Sequence, residues 1–379
     1  LRFKFRSARG HGLAAGPLPA WNPVRVAYTL EQCWHRVPGG TASAALAVAR
    51  QLAASDDIEL VGVSARHREL PPPPWTPPIE TRPLALPRAA LYDSWLRFRT
   101  PRVERATGPV DVIHATTIIV PPRSAPLVVT IHDLAFLHEP AHFTSRGRRV
   151  FQRGLDLVRR DADLVLASSH ATMCDCVAAG IAAERVRHVP LGVARATVDA
   201  ATVMTMRRRY GLERRYLLFV GTLEPRKNLA RLVAAVERLE TDHILAVVGL
   251  EGWGRASPPP GDRVRLLGFV SDRDRDALYA GADAFLYPSL REGFGLPVAE
   301  AMAHGTPVVT SRGTATEEVA GGAAVLVDPT DVDAIAAGIV RALADSRRLI
   351  VAGYERADEL TWERTAAATV AAYEEVLAR

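Results

Sequence analysis

The chain has 379 residues, 48% hydrophobic and 23% charged, which gives room for two cores and rules out a disordered chain. No window approaches the roughly 18 uninterrupted apolar residues of a membrane span, so an integral membrane protein is not expected. The net charge of +5 suggests nucleic acid or a membrane, but Arg2, Lys4, Arg6 and Arg9 carry four of those five charges. The chain holds 45 arginines and two lysines, so the basic character is a compositional bias and no nucleic-acid partner is expected. The same bias makes Lys227 conspicuous as the only lysine beyond the N-terminal tail.

Residues 1–22 read as a mobile basic tail without the continuous 7–15-residue apolar core of a signal peptide. A strand over Val24–Thr29 is followed by the Val37-Pro38-Gly39-Gly40-Thr41 loop and a helix from about Ser43 to Ala54. Ile58–Val63 is the next strand. Pro71-Pro72-Pro73-Pro74-Trp75-Thr76-Pro77-Pro78 is neither helix nor central strand and reads as a surface loop of polyproline character. Strands recur at Val110–His114, Leu127–Ile131, Ala162–Ala167 and Val186–Val189, with helices at Ser145–Arg160 and Ser169–Ala179. Continuous Val/Ile/Leu runs alternating with helices indicate a parallel sheet covered on both faces.

After a hinge at Pro190-Leu191-Gly192-Val193 the pattern restarts. Strands are expected at Tyr216–Val220, Ile244–Val248, Val264–Leu267, Ala284–Tyr287, Pro307–Thr310 and Ala324–Val327. Helices are expected at Asn228–Leu239, Asp272–Ala280, Pro297–His304 and Asp331–Leu343, with a last amphipathic one over Glu363–Leu377. The expected division is a tail (1–22), an N-terminal domain (23–190), a C-terminal domain (191–362) and a helix (363–379) packing back on the first domain. Two open α/β sheets joined by a hinge place a ligand crevice between them, at the carboxyl ends of the strands.

Three cysteines (Cys33, Cys174, Cys176) build no disulfide framework and suit a reduced, cytoplasmic protein. On a helix Cys174 and Cys176 diverge by about 200°, so they form no metal clip.

Two segments carry the chemistry. In Val220-Gly221-Thr222-Leu223-Glu224-Pro225-Arg226-Lys227-Asn228, Gly221 is expected to permit an unusual backbone turn. Arg226 and Lys227 follow beside a helix N-terminus, where amides and the helix dipole favour an anion. Two cations and that dipole suit a diphosphate, and a lysine in so arginine-rich a chain suits a point-charge contact to phosphate. In Arg291-Glu292-Gly293-Phe294-Gly295-Leu296-Pro297-Val298-Ala299-Glu300, two glycines permit close backbone approach and Pro297 opens a helix. Glu292 in the loop and Glu300 in the helix can then meet different parts of one ligand.

Glu292 to Glu300, with Gly-Phe-Gly-Leu-Pro between them and Ala-Met-Ala-His-Gly-Thr-Pro-Val-Val after, resembles the E-x7-E signature of retaining GT-B glycosyltransferases of family 4. Gly-Thr-Leu-Glu-Pro-Arg-Lys-Asn resembles the phosphate-binding element of the same family. Gly268-Phe269-Val270-Ser271, Glu318-Val319-Ala320-Gly321 and Asp328-Pro329 extend the likeness through the second domain. The resemblance implies the GT-B fold, two Rossmann-like doubly wound domains with an interdomain cleft. It implies a nucleotide-sugar donor and a glycan or lipid-linked acceptor, and the Leu-Glu-Pro-Arg-Lys-Asn form is similar to a branch that often uses GDP-mannose.

The resemblance also implies roles. Arg226 and Lys227 would hold the donor diphosphate, with Gly221 in the same element. Glu300 would bind the ribose hydroxyls, and Glu292 with amides near Gly293, Phe294, Gly295 and Leu296 would hold the transferred sugar. Val270 would meet the base through its main chain. In the first domain, Gly39 and Gly40 match a glycine loop that approaches diphosphate and acceptor. His132, with Asp133, matches a histidine that contacts the donor sugar, and a strand end is a suitable place for it. Implied rivals are a UDP-sugar transferase, a nucleotide-sugar epimerase and a non-catalytic nucleotide-sugar-binding subunit. A dinucleotide dehydrogenase is disfavoured, because no Gly-x-Gly-x-x-Gly follows Val24–Thr29.

No cofactor or metal is expected. Asp272, Asp274 and Asp276 have DxD spacing, but residues two apart on a helix do not share a face, and Ser271 with Asp274 has capping-box spacing. Asp161 and Asp163 read as solvated. Arg146, Arg148, Arg149 and Arg153 could meet an anionic membrane surface at the periphery or a lipid-phosphate acceptor, but an arginine-rich solvated face is the preferred reading.

Overall fold

The computed structural model describes residues 22–250 and 263–379; the expected basic tail falls, apart from Asn22, outside them. In the first half, strands form where apolar runs are uninterrupted: β1 (Val24–Thr29), β2 (Ile58–Ser64), β3 (Thr81–Pro83), β4 (Val112–Ala115), β5 (Leu127–Ile131), β6 (Leu164–Ala167) and β7 (Val186–His188). They pair in the order β3-β2-β1-β4-β5-β6-β7, every pair parallel. The second half repeats the plan with β8 (Tyr216–Val220), β9 (Ile244–Val248), β10 (Val264–Gly268), β11 (Ala284–Tyr287), β12 (Val308–Ser311) and β13 (Val325–Val327). Their order is β10-β9-β8-β11-β12-β13, again all parallel. β8, β9, β11 and β12 are buried along their length, while β10 is half exposed at the edge.

In each sheet the strand order reverses between two central neighbours: β1 and β4 in the first, β8 and β11 in the second. The chain leaves these strands in opposite directions to reach its helices, which opens a crevice at their carboxyl ends. The segments that follow β8 and β11 are the two singled out from sequence, and the loop after β1 leads to Gly39 and Gly40.

The two links between the domains run side by side. Val193 donates its N–H to the Leu360 carbonyl at 2.9 Å, and a Cβ on Gly192 would lie 2.2 Å from the Trp362 nitrogen, so only glycine fits there. The last helix, Trp362–Leu377, is capped by Thr361 and lies on the first domain. Its Ala366, Val370, Tyr373 and Val376 share a core with Val26, Leu46 and Leu164. The Tyr373 hydroxyl pairs with His114 Nδ1 at 2.6 Å.

Several local expectations are corrected. The first-domain helix begins at Gly39, four residues before the expected Ser43, with Gly39 at φ +63° as its first residue. A 3-10 turn over Glu31–Trp34 precedes it. Helices at Arg88–Arg97, Ala200–Tyr210, Ala315–Ala320 and Ser346–Glu359 were not anticipated. Asp161 and Asp163 are not merely solvated. Asp161 pairs with Arg99 at 2.9 Å and with Arg160, while Asp163 pairs with Arg123 and accepts the Leu127 N–H at 2.8 Å. An arginine-rich chain supplies partners to carboxylates that look free in sequence.

Candidate active site

After β8 the chain makes a 3-10 turn, Pro225–Lys227, and enters the helix Leu229–Glu237 through Asn228 in the left-handed conformation. Asn228 does not cap that helix with its side chain. Its amide donates to the carbonyls of Pro288 (2.9 Å) and Pro329 (2.6 Å), tying together the segments that follow β8, β11 and β13. The Leu290 N–H donates to the Arg226 carbonyl at 2.8 Å. These bonds fix the Arg226-Lys227 pair against the Glu292 loop.

Lys227 is 5% exposed. Its ammonium donates to Glu292 Oε1 at 2.6 Å and to the Tyr287 hydroxyl. Arg226 donates to the other carboxylate oxygen, Glu292 Oε2, at 2.9 Å, to Glu224 Oε2 at 2.8 Å and to the Arg291 carbonyl at 3.2 Å. The two cations expected to hold a diphosphate are therefore clamped on the carboxylate expected to hold a sugar. Sequence reasoning placed these three residues in one crevice but did not foresee that they neutralise one another.

Burial alone would raise the Glu292 pKa, but Lys227 and Arg226 overcome it and hold the carboxyl down at about 2. Lys227 is pushed down by burial and by the like charge of Arg226, against the opposing pull of Glu292. Burial disfavours the charged guanidinium of Arg226 too, yet Glu292, Glu224 and Asp133 raise its pKa well above the usual value. Asp133 comes from the first domain, so the field at the cation pair already spans the crevice. Tyr287 is a functional residue the sequence reading missed. It ends β11 and presents its hydroxyl to Lys227, a strand-end position that could have marked it.

The glycines do different work. Gly295 has φ +98°, the left-handed region that favours glycine, and forms the N-cap of the helix Leu296–Ala303. A Cβ on Gly293 would lie 1.9 Å from the His132 carbonyl oxygen, so the Glu292 loop touches the first domain through a residue with no side chain. The Gly293 carbonyl accepts from Ser169 (2.7 Å), Ser168 (3.1 Å) and Thr172 (3.1 Å) of the first domain. Gly221 departs from expectation. It has no positive φ, and a Cβ there would make only ordinary contacts with Phe219 and Tyr287. The close approach is made by Gly249, φ +147°, whose added Cβ would stand 1.9 Å from the Gly221 carbonyl oxygen. Phe294 is buried and Leu296 partly so.

Glu300 accepts from the Tyr279 hydroxyl at 2.9 Å and is partly exposed on its helix. Val270 follows β10 and is 6% exposed. In the first domain, Gly39 and Gly40 open their helix with nothing within 4 Å of an added Cβ, so there is room beside this turn. Asp133 accepts the Ala135 N–H at 3.0 Å. His132 lines a small, partly open cavity of about 30 Å³ with His114, Thr116 and Thr130. Its Nε2 is buried without a hydrogen-bond partner, and burial lowers its pKa. The DxD-like acids are otherwise engaged. Asp272 pairs with Arg275, Asp274 with Arg209 and Tyr210, and Asp276 with Arg275, while Ser271 caps their helix by accepting the Asp274 N–H.

Comparison with known proteins agrees with this geometry. Residues 38–196 match the family model described as Glycosyltransferase Family 4, and residues 214–345 that described as Glycosyl transferases group 1. The chain is 32% identical over 280 residues to O-antigen chain mannosyltransferase B of Escherichia coli, covering 69% of this chain and 74% of that one. It is 35% identical over 238 residues to the MMP alpha-(1->4)-mannosyltransferase of Mycolicibacterium hassiacum, covering 59% and 56%. Among solved structures, Anabaena Alr3699/HepE in complex with UDP and glucose superposes with TM-score 0.70 at 19% identity, covering 92% of this chain and 98% of that one. WaaG, a glycosyltransferase involved in lipopolysaccharide biosynthesis, gives 0.65 at 19% identity, covering 91% and 99%. At those identities the likeness concerns the fold, which is GT-B.

Proposed function

The chain belongs to glycosyltransferase family 4 and is a hexosyltransferase, and we propose that it moves mannose from GDP-mannose to a hydroxyl of a glycan or lipid-linked acceptor, with retention of anomeric configuration. The reading rests on one observation above all: Arg226, Lys227 and Glu292 meet at the switch point of the second sheet, opposite the open glycine terminus of the first. The names of the two mannosyltransferase relatives support the choice of sugar.

In this proposal the donor diphosphate takes the place of a carboxylate on the cations. Phosphate oxygens accept from Arg226 and Lys227, and the negative charge that develops as the sugar leaves is stabilised in place. Glu292, released from one or both cations, turns its oxygens to sugar hydroxyls. The bond from C1 to the phosphate oxygen breaks through an oxocarbenium-like state, and the acceptor oxygen bonds to C1 on the same face. The acceptor's proton passes to the leaving phosphate, so no separate base is needed. A double displacement would need a carboxylate nucleophile. In this proposal Glu292 is given to the sugar hydroxyls instead. The transfer step uses no metal, because the two cations do the neutralising that a divalent ion would otherwise supply.

Among the described residues no helix is long and apolar enough to cross a membrane. A thermal-shift panel tests the donor: GDP-mannose should raise Tm more than any UDP-sugar, because preferential binding stabilises the fold. Stabilisation by a UDP-sugar with none by GDP-mannose would overturn that choice. NMR of the product's anomeric proton tests retention, and an inverted product would remove the same-face mechanism.

A further inference from the structure

Among the described residues one trio of side chains has the composition and spacing of a metal centre: His170, His188 and Glu318, whose candidate ligand atoms all lie within 4.8 Å of one another. His170 opens the helix His170–Ala178 and His188 ends β7, both in the first domain. Glu318 sits on the helix Ala315–Ala320 of the second. The trio therefore bridges the domains, next to the Ser169–Gly293 contact but separate from the Arg226, Lys227 and Glu292 cluster.

Its geometry is more than an incidental ion pair. The imidazoles of His170 and His188 lie against each other with centroids 4.0 Å apart and planes inclined by 34°. His188 Nε2 is buried and has no hydrogen-bond partner, although it stands 3.1 Å from Glu318 Oε1. Tetrahedral zinc with bonds of about 2.0–2.2 Å places its ligand atoms roughly 3.3–3.6 Å apart. The His188–Glu318 pair is thus already close to one edge of such a tetrahedron, and the exposed His170 ring can swing to complete a face.

The surroundings hold Glu318 in place. Both its oxygens accept the His170 backbone N–H, at 3.0 and 2.9 Å, which leaves lone pairs for an ion. Arg356 donates to the Glu318 carbonyl at 3.0 Å and to the Val319 carbonyl at 2.9 Å, pinning the helix end. Such outer contacts orient metal ligands. Two imidazoles and a carboxylate select zinc or a similar transition ion over magnesium or calcium, which prefer all-oxygen shells.

We propose that His170, His188 and Glu318 bind one zinc-class divalent ion with water as its fourth ligand, and that this ion fastens the two domains in the arrangement seen here. The ion takes no part in sugar transfer, and the inference stands whichever sugar the enzyme uses.

The test uses the full chain stripped with EDTA and titrated with zinc chloride in a calorimeter, with Tm read in parallel. One zinc ion per chain and a raised Tm are expected, with no response to magnesium. X-ray absorption of the loaded protein should show two imidazole nitrogens and oxygen ligands. The H170A/H188A double variant should lose the stoichiometric ion and the Tm response. Should the double variant fail to fold, His170→Ala alone, at an exposed position, asks the same question. Absence of a stoichiometric ion in the wild type, or equal zinc binding by a folded variant, would overturn the proposal and leave the trio as an ion pair.

Discussion

Replacing Glu292 with Gln removes one negative charge from between two cations and keeps the side chain's shape. Holding the carboxyl at about 2 against an ordinary 4.5 corresponds to about 3 kcal/mol favouring the ionised form at neutral pH. The side chain is 7% exposed, so solvent screening takes little from that figure. The folded-state pKa is depressed, so this stability is present above about 4.5 and fades as pH falls towards 2. At pH 3 about 1 kcal/mol should remain. Glu292→Gln should therefore cost about 3 kcal/mol of unfolding free energy at pH 7 and less than half of that at pH 3. Urea titration followed by tryptophan fluorescence, run on both proteins at both pH values, measures the difference. Equal stability at pH 7, or a difference that does not shrink on acidification, would refute the pairing energetics. The same variant should bind free GDP at least as tightly as the wild type, since the competitor for the cations is gone, while transfer falls by about 100-fold or more.

Lys227→Ala removes a charge-assisted contact worth about 1.5–3 kcal/mol, so GDP and UDP should both bind roughly ten- to a hundredfold more weakly by calorimetry. Unchanged affinity for both would sink the phosphate assignment. Gly293→Ala places a Cβ against the His132 carbonyl and should push the Glu292 loop off the first domain. Transfer should then fall while GDP affinity holds, and a variant of normal turnover would show that this contact is dispensable. Turnover in EDTA should match turnover with added magnesium or manganese; strict dependence on a divalent ion would overturn metal-free transfer.

Much of the fold was legible because both sheets are built from uninterrupted apolar runs. Val24–Thr29, Leu127–Ile131, Tyr216–Val220, Ile244–Val248 and Ala284–Tyr287 begin and end where the sequence reading placed them. The helices that escaped notice are those whose charge or shortness hides the apolar period. Ala200–Tyr210 carries three consecutive arginines in its last turn and buries only Met206, and Ala315–Ala320 is under two turns long. The site was legible in its members but not in its wiring. Arg226 and Glu292 are 66 residues apart, and no local pattern states that their charges touch. Gly221 and Gly249 show the same limit. Sequence marks a glycine beside the motif, yet the close approach belongs to Gly249, just past the end of the neighbouring strand β9, which only the pairing of β8 with β9 reveals.

The contact at Gly293 explains why one short loop carries both a charge and a missing side chain. Glu292 turns inward to Lys227 and Arg226, while its neighbour offers a bare backbone to His132, Ser169 and Thr172. The backbone of the residue after Glu292 is thus hydrogen-bonded to the other domain while the Glu292 carboxylate holds the two cations. Asp133 adds an electrostatic link, because its charge acts on Arg226 only while the domains stay together.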